Sequence, residues 1–115
     1  MKVCTEIGCS SGAFFLVRGL QQRLPDAEEL RLCLDDECRT YSASVAAAMV
    51  RGPAIRQTGT VDLSIAVLDR DGDVLARDSA TVEVEQTQPN GPGCPPTCFR
   101  AAARLNPGSL RLEPR

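Results

Sequence analysis

Apolar and polar residues alternate with a period of two over most of this chain. Successive side chains of a β-strand point to opposite faces, so this alternation predicts strands with one buried face. Five stretches show it, with these residues predicted to face inward: Leu30, Leu32 and Leu34; Val61, Leu63, Ile65 and Val67; Ala80, Val82 and Val84; Phe99, Ala101, Ala103 and Leu105; Leu110 and Leu112.

Two further segments are apolar but less regular. GAFFLVRGL (12–20) has apolar residues on both faces and fits an inner or two-sided strand. YSASVAAAMVRGP (41–53) is ambiguous between helix and strand over residues 43–50. Its alanine content and the Gly52-Pro53 pair suit a short helix. Its alternation slightly favours a strand, with one face formed by Ala43, Val45, Ala47 and Met49.

Turn-forming residues separate these segments at 24–28, 34–36, 69–73, 88–93 and 106–108. Strands recur every 10–15 residues or so, and few helical patterns lie between them, which favours a sandwich or barrel over βαβ units. We therefore predict one all-β domain over residues 1–115, an antiparallel sandwich of about seven strands. Its N-terminal segment (1–11) and its Pro/Gly/Cys loop (88–98) are predicted to be tied together by cysteines.

The core has few large residues to work with. Among 115 residues there are three Phe, one Tyr and no Trp. Aromatic side chains bury the largest areas, so Val, Leu, Ile and Ala must supply most of the hydrophobic stabilisation. A core of this kind favours covalent reinforcement.

Six cysteines, with the spacings C-x4-C, C-x4-C and C-x3-C, can supply that reinforcement. The C-x2-C spacing of structural zinc sites is absent, so three disulfides are favoured over zinc on four cysteines or free buried thiols. In LRLCLDDECR, a two-residue loop at Asp35-Asp36 places Cys33 opposite Cys38, on the outward face of its strand. There the side chains approach closely enough for a disulfide.

The remaining cysteines, Cys4, Cys9, Cys94 and Cys98, allow three pairings. Bridges between the N-terminal two and the C-terminal two close loops of roughly 85–95 residues, each worth on the order of 4–5 kcal/mol in the chain-entropy model. We favour these long-range bridges over two tiny local loops, and which sulfur meets which stays open.

Disulfides indicate an oxidising compartment. MKVCTEIGC has no apolar signal core, and AFFLV (13–17) is too short to span a membrane. We expect an extracytoplasmic protein, secreted or anchored as a lipoprotein, whose signal segment and any lipid anchor lie upstream of this sequence.

Three motifs carry a family resemblance: CTEIGCSSG, LRLCLDDECR and PNGPGCPPTCFRAAARL. Together with the Arg-rich, Lys-poor composition, they resemble small secreted or lipoprotein-type β-sandwich domains of actinobacteria and other high-GC bacteria. The resemblance implies an immunoglobulin-like sandwich outside the cytoplasm, stapled by disulfides. It implies no activity and no catalytic residues.

Several kinds of chemistry are disfavoured by the residues themselves. The absence of histidine excludes Ser-His-Asp triads, Cys-His pairs and histidine-ligated metals. With a net charge of −2 and no basic cluster, no nucleic-acid partner is expected. Asp69, Asp71 and Asp73 form a weak calcium candidate, but the spacing is not that of an EF-hand, and a hairpin turn is favoured. No cofactor is predicted.

We therefore expect a non-enzymatic binding, adhesion or structural module of the cell envelope, with an unknown protein or envelope component as its partner. The loops at 35–37, 69–73 and 88–93 are candidate binding loops. Two alternatives are a small zinc-binding or thiol-redox protein and a protease inhibitor that presents GCPPTCF.

Overall fold

The computed structural model describes residues 3–51 and 55–115 of the chain. Eight strands and one short helix form the fold: β1 (Gly12–Leu16), α1 (Leu20–Arg23), β2 (Glu29–Leu34), β3 (Glu37–Ser42), β4 (Ala47–Val50), β5 (Gly59–Leu68), β6 (Val74–Thr87), β7 (Cys98–Leu105) and β8 (Leu112–Pro114). The all-β prediction is confirmed. Within the described residues, no helix has both the length and the apolar character needed to cross a membrane.

The strands form one sheet that curls until it is nearly closed into a barrel. Their order is β3-β2-β5-β6-β7-β1-β4, and β8 adds to β7. The long strand β6 joins the two halves of the barrel wall, because residues 74–84 pair with β5 and residues 85–87 pair with β7. The expected antiparallel arrangement holds except between β1 and β7, which run parallel.

The core follows the alternation in the sequence. All four predicted inward residues of β5 and all three of β2 are buried, as are the three aliphatic residues predicted to face inward from β7. Phe15 is the one aromatic side chain fully buried among the described residues, so aliphatic contacts dominate the core. β1 is paired on both edges, which confirms the prediction of an inner strand.

The two end strands of the sheet, β3 and β4, meet across the remaining seam of the barrel. They are consecutive in the chain and are joined by a short turn at 43–46. The Tyr41 hydroxyl on β3 donates a hydrogen bond to the Met49 carbonyl on β4. A side-chain bond therefore replaces the backbone ladder at the point where the wall would otherwise be open.

The structure corrects the expectation for residues 43–50. Only Ala47–Val50 form a strand, and its inward phase is opposite to the predicted one, because Val50 is fully buried and Ala47 is exposed. Ala43 is buried, but it lies in the turn before the strand, where the backbone changes direction and resets the alternation. The helical turn α1 was not predicted. The Gly52-Pro53 pair lies outside the described residues.

Candidate functional site

The six cysteines form three disulfides, as predicted. Cys4 bonds Cys94 and Cys9 bonds Cys98 across 90 and 89 positions of the chain, and Cys33 bonds Cys38 within the β2–β3 hairpin. Cys33 and Cys38 are directly opposite in the strand register, with Cα atoms 4.1 Å apart, next to the expected two-residue loop. The structure also decides the open pairing. The two long bridges join the N-terminal segment to the Pro/Gly/Cys loop.

The Asn90 side chain also links those two segments, through hydrogen bonds. Its Oδ1 accepts hydrogen bonds from the Ile7 amide (2.9 Å) and the Thr5 hydroxyl (2.5 Å). Its Nδ2 donates to the carbonyls of Ile7 (2.9 Å) and Pro95 (2.7 Å). One side chain thus links residues more than 80 positions apart. The loop at 88–98 is therefore held against the N-terminal segment by hydrogen bonds as well as by the two disulfides.

Asp69 caps the β5–β6 turn, which also contains Asp71 and Asp73. Asp69 Oδ1 accepts the backbone amides of Asp71 and Asp73, both at 2.9 Å, and Gly72 adopts φ +84°. The carboxylate oxygens of the three residues lie within 4.8 Å of one another. The polar turn that the sequence favoured accounts for this arrangement, and the cluster carries no argument for a metal.

The candidate binding loops do not converge on one site. The 69–73 turn precedes β6 and the 88–98 loop follows it, and a 14-residue strand spans roughly 45 Å. The molecule is correspondingly long, at 59 Å in its largest dimension. The Asp35-Asp36 loop lies partway along, where the Asp35 amide bonds the Asp62 carbonyl of β5. A ligand of small-molecule size therefore cannot contact all three loops at once.

A better-formed concave site lies on the outer surface of the barrel. Because Ala13 and Phe15 of β1 point inward, Phe14 and Leu16 point outward, and the register places them in rows with Ala102 and Ala47. We call the cavity over these residues the β1–β7 groove. It has a volume of about 440 Å³, and its walls also include Glu83, Glu85 and Thr87 of β6 with Arg100 and Arg115.

Charge is distributed unevenly around the β1–β7 groove. The acidic residues come from β6, and the Arg100 guanidinium lies over the Phe14 ring, 4.7 Å from its centroid, where a cation–π interaction orients it. A second cavity of about 360 Å³ shares Leu16 and Arg115 with the groove and adds Arg18 and Arg104. Arg104 pairs with Glu113 at 3.2 Å. The groove therefore offers an apolar floor, one acidic side and one basic end.

Sequence reasoning missed this groove. The signal was present in GAFFLV, whose outward residues Phe14 and Leu16 are apolar and remain half-buried. Apolar residues on both faces predict an inner strand, and the pairing of β1 on both edges confirms it. The outer face of the same strand also forms the floor of a cavity. The walls of that cavity come from β6 and β7, which lie far from β1 in the sequence, so no local pattern predicts it.

The β1–β7 groove combines an apolar floor with guanidinium and carboxylate groups, and this combination suits ligand binding. Histidine is absent from the whole sequence, so imidazole cannot serve as a proton-transfer group there. Comparisons with protein-family models, with curated proteins and with solved structures gave no match to this chain.

Proposed function

We propose that this protein is an extracytoplasmic, non-enzymatic binding module of a bacterial cell envelope. In this proposal the curled sheet is an immunoglobulin-like sandwich, and the β1–β7 groove is its ligand-binding face. Two features support the sandwich assignment: the walls on either side of β6 are built mostly of antiparallel pairs, and β6 passes from one wall to the other.

The observation that carries the proposal is the use of every cysteine in a disulfide. Structural disulfides persist outside the cytoplasm and are rare within it. The same bonding leaves no thiolate to ligate zinc, which disfavours the zinc alternative. The protease-inhibitor alternative is tested with a panel of proteases; the loop that would be presented, 88–98, is held by the Cys4–Cys94 bridge and by the Asn90–Pro95 hydrogen bond.

The shape of the β1–β7 groove supports an elongated ligand. Floor residues Phe14 and Leu16 follow one strand, and the adjoining cavity, which shares Leu16 with the groove, carries the basic end at Arg18 and Arg115. A ligand with a flat or apolar segment could lie on the floor of the groove, and an anionic group that follows this segment would then reach the basic end. Glycan chains and extended peptides of the envelope both have this form.

Two experiments test the proposal. Peptide mapping of protein blocked with a thiol reagent at harvest from its native host should recover the three disulfides without added oxidant. Recovery of free thiols from the folded protein contradicts the compartment. For binding, co-sedimentation with purified cell-wall sacculi should be weakened by Arg100→Gln and Phe14→Ser.

The matched control for the sacculus assay is Arg39→Gln. Among the residues that the structure describes, the Arg39 guanidinium bonds only the carbonyl of the neighbouring Cys38, and Arg39 does not line the groove. All variants are checked by far-UV circular dichroism and by their melting temperature. If the two groove variants and the control sediment to the same extent as the unmodified protein, the groove is not the binding face.

A further inference from the structure

A row of side chains on the outer face of β2, β5 and β6 places two arginines on either side of a small residue. The register aligns Arg31 of β2 with Ala66 of β5, and Ala66 with Arg77 of β6. Neighbouring strands are about 4.8 Å apart, so the two arginine backbones lie roughly 10 Å apart with Ala66 between them. Both guanidinium groups can therefore extend over the same patch of sheet.

The next row in the same sheet makes that patch concave. It aligns Cys33, Ser64 and Ser79, all with short side chains. A cavity of about 450 Å³ lies over the two rows, and both arginines line it. We call it the Arg31–Arg77 cavity. Its central strand, β5, is three strands away from β1 in the order of the sheet. The cavity shares no lining residue with the β1–β7 groove.

Neither arginine has a counterion of its own. Among residues 3–51 and 55–115, Arg104 and Glu113 form the one ion pair, and the guanidinium groups of Arg31 and Arg77 donate no hydrogen bond. The Cys33–Ser64–Ser79 row contains no acid; Asp78, which also lines the cavity, accepts a hydrogen bond from the Leu112 amide at 2.7 Å. The two guanidinium charges thus lie beside a hollow whose floor carries hydroxyl groups, while the one carboxylate in its lining is already bonded to a backbone amide.

We propose that the Arg31–Arg77 cavity binds an oxyanion group, either the phosphate of a phosphodiester or the carboxylate of an acidic sugar. A guanidinium presents paired N–H donors that match two oxygens of such a group, and two guanidinium groups facing one hollow can engage it from both sides. The hydroxyls of Ser64 and Ser79 supply further donors from the floor. The ligand is recognised by its charged group, and this site stands independently of the β1–β7 groove.

The test is a titration followed by two-dimensional NMR of the uniformly labelled protein at constant ionic strength. Dimethyl phosphate and glucuronate are the two probes, and sodium chloride replaces them in the reference series. At least one probe should shift the amide signals of Ser64, Ala66 and Ser79 in a saturable manner. Selective response to dimethyl phosphate assigns a phosphodiester ligand, and selective response to glucuronate assigns an acidic sugar.

Arg31→Gln and Arg77→Gln should each weaken the apparent affinity about tenfold, since each removes a charge-assisted donor pair. Arg70→Gln is the matched control, because Arg70 is an exposed arginine in the β5–β6 turn and does not line the cavity. Backbone spectra of the variants establish that they are folded. The proposal is overturned if neither probe shifts these amides beyond the chloride reference, or if Arg70→Gln weakens binding as much as the cavity variants do.

Discussion

The two long-range disulfides should stabilise the fold in a strongly non-additive manner. We consider replacing Cys4 and Cys94 with alanine, then Cys9 and Cys98, then all four. Alanine is preferred to serine because Cys94 and Cys98 are buried, and a serine hydroxyl there would lack a hydrogen-bonding partner. The Cys33–Cys38 bridge remains intact in all three variants.

The magnitudes follow from the loops that each bridge closes. Bridges across 90 and 89 positions share almost the whole chain, so while one is present the other closes a circuit of only about 11 residues. In the chain-entropy model, removing either bridge alone costs about 3 kcal/mol, since only that small circuit opens. Removing both costs about 7 kcal/mol, because the loop of about 90 residues opens as well. Before rounding, the single effects are about 2.8 kcal/mol each and the combined effect is about 7.4 kcal/mol, so the excess over their sum is about 1.9 kcal/mol.

Equilibrium urea unfolding, followed by far-UV circular dichroism, gives the free energy of unfolding of each variant. Loss of the sulfur atoms also removes packing, but that contribution appears once for each bridge and cancels from the excess. Replacing Cys33 and Cys38 provides the control. Their loop of a few residues is nested within the long ones without sharing their closure, so its effect of about 2 kcal/mol should add to the others.

The reasoning is refuted if the two long bridges behave additively within about 0.5 kcal/mol, the usual scatter for independent sites. It is also refuted if the Cys33–Cys38 control shows the same excess. Because small domains have total stabilities of only about 5–15 kcal/mol, the four-alanine variant is expected to be largely unfolded at 37 °C. All variants, the four-alanine variant included, are therefore titrated with urea at a lower temperature and at one constant concentration of a stabilising osmolyte.

Three further predictions concern individual side chains that form hydrogen bonds between segments or within a turn. Asn90→Ala should lower the free energy of unfolding by about 2 kcal/mol in urea titration, because four exposed hydrogen bonds are lost together; an effect below about 0.5 kcal/mol would argue against its fastening role. Tyr41→Phe should cost about 1 kcal/mol and speed amide hydrogen exchange in β4, whereas unchanged exchange there would mean that the seam does not depend on the hydroxyl. Asp69→Ala should cost about 1 kcal/mol and Asp71→Ala almost nothing, since Asp69 alone bonds the turn amides; a calcium-dependent rise in melting temperature that Asp71→Ala abolishes would contradict this.

Local sequence was sufficient for the strands whose alternation is strict. In β2 and β5 the predicted inward residues are the buried ones, because a period of two combined with one buried face fixes both the structure and its phase. It was also sufficient for the Cys33–Cys38 bridge, since a two-residue loop determines which residues stand opposite one another.

Local sequence was insufficient where a segment has small residues on both faces. The alanine-rich run before Met49 carries too little hydrophobic contrast to fix a phase, so the turn at 43–46 and the burial of Val50 decide it. The parallel pairing of β1 with β7 is likewise invisible in either strand alone, because it depends on which strands become neighbours when the sheet curls.

The sequence by itself thus determined an all-β chain with an aliphatic core, a hairpin staple and a cysteine-rich loop tied to the N-terminus. Those features depend on neighbouring residues and on the cost of closing loops, which can be worked out from spacing. Only the tertiary structure decided which of Cys94 and Cys98 meets Cys4, how the barrel closes, and where the β1–β7 groove and the Arg31–Arg77 cavity lie. These depend on contacts between residues far apart in the chain, and no local pattern encodes the distances among them.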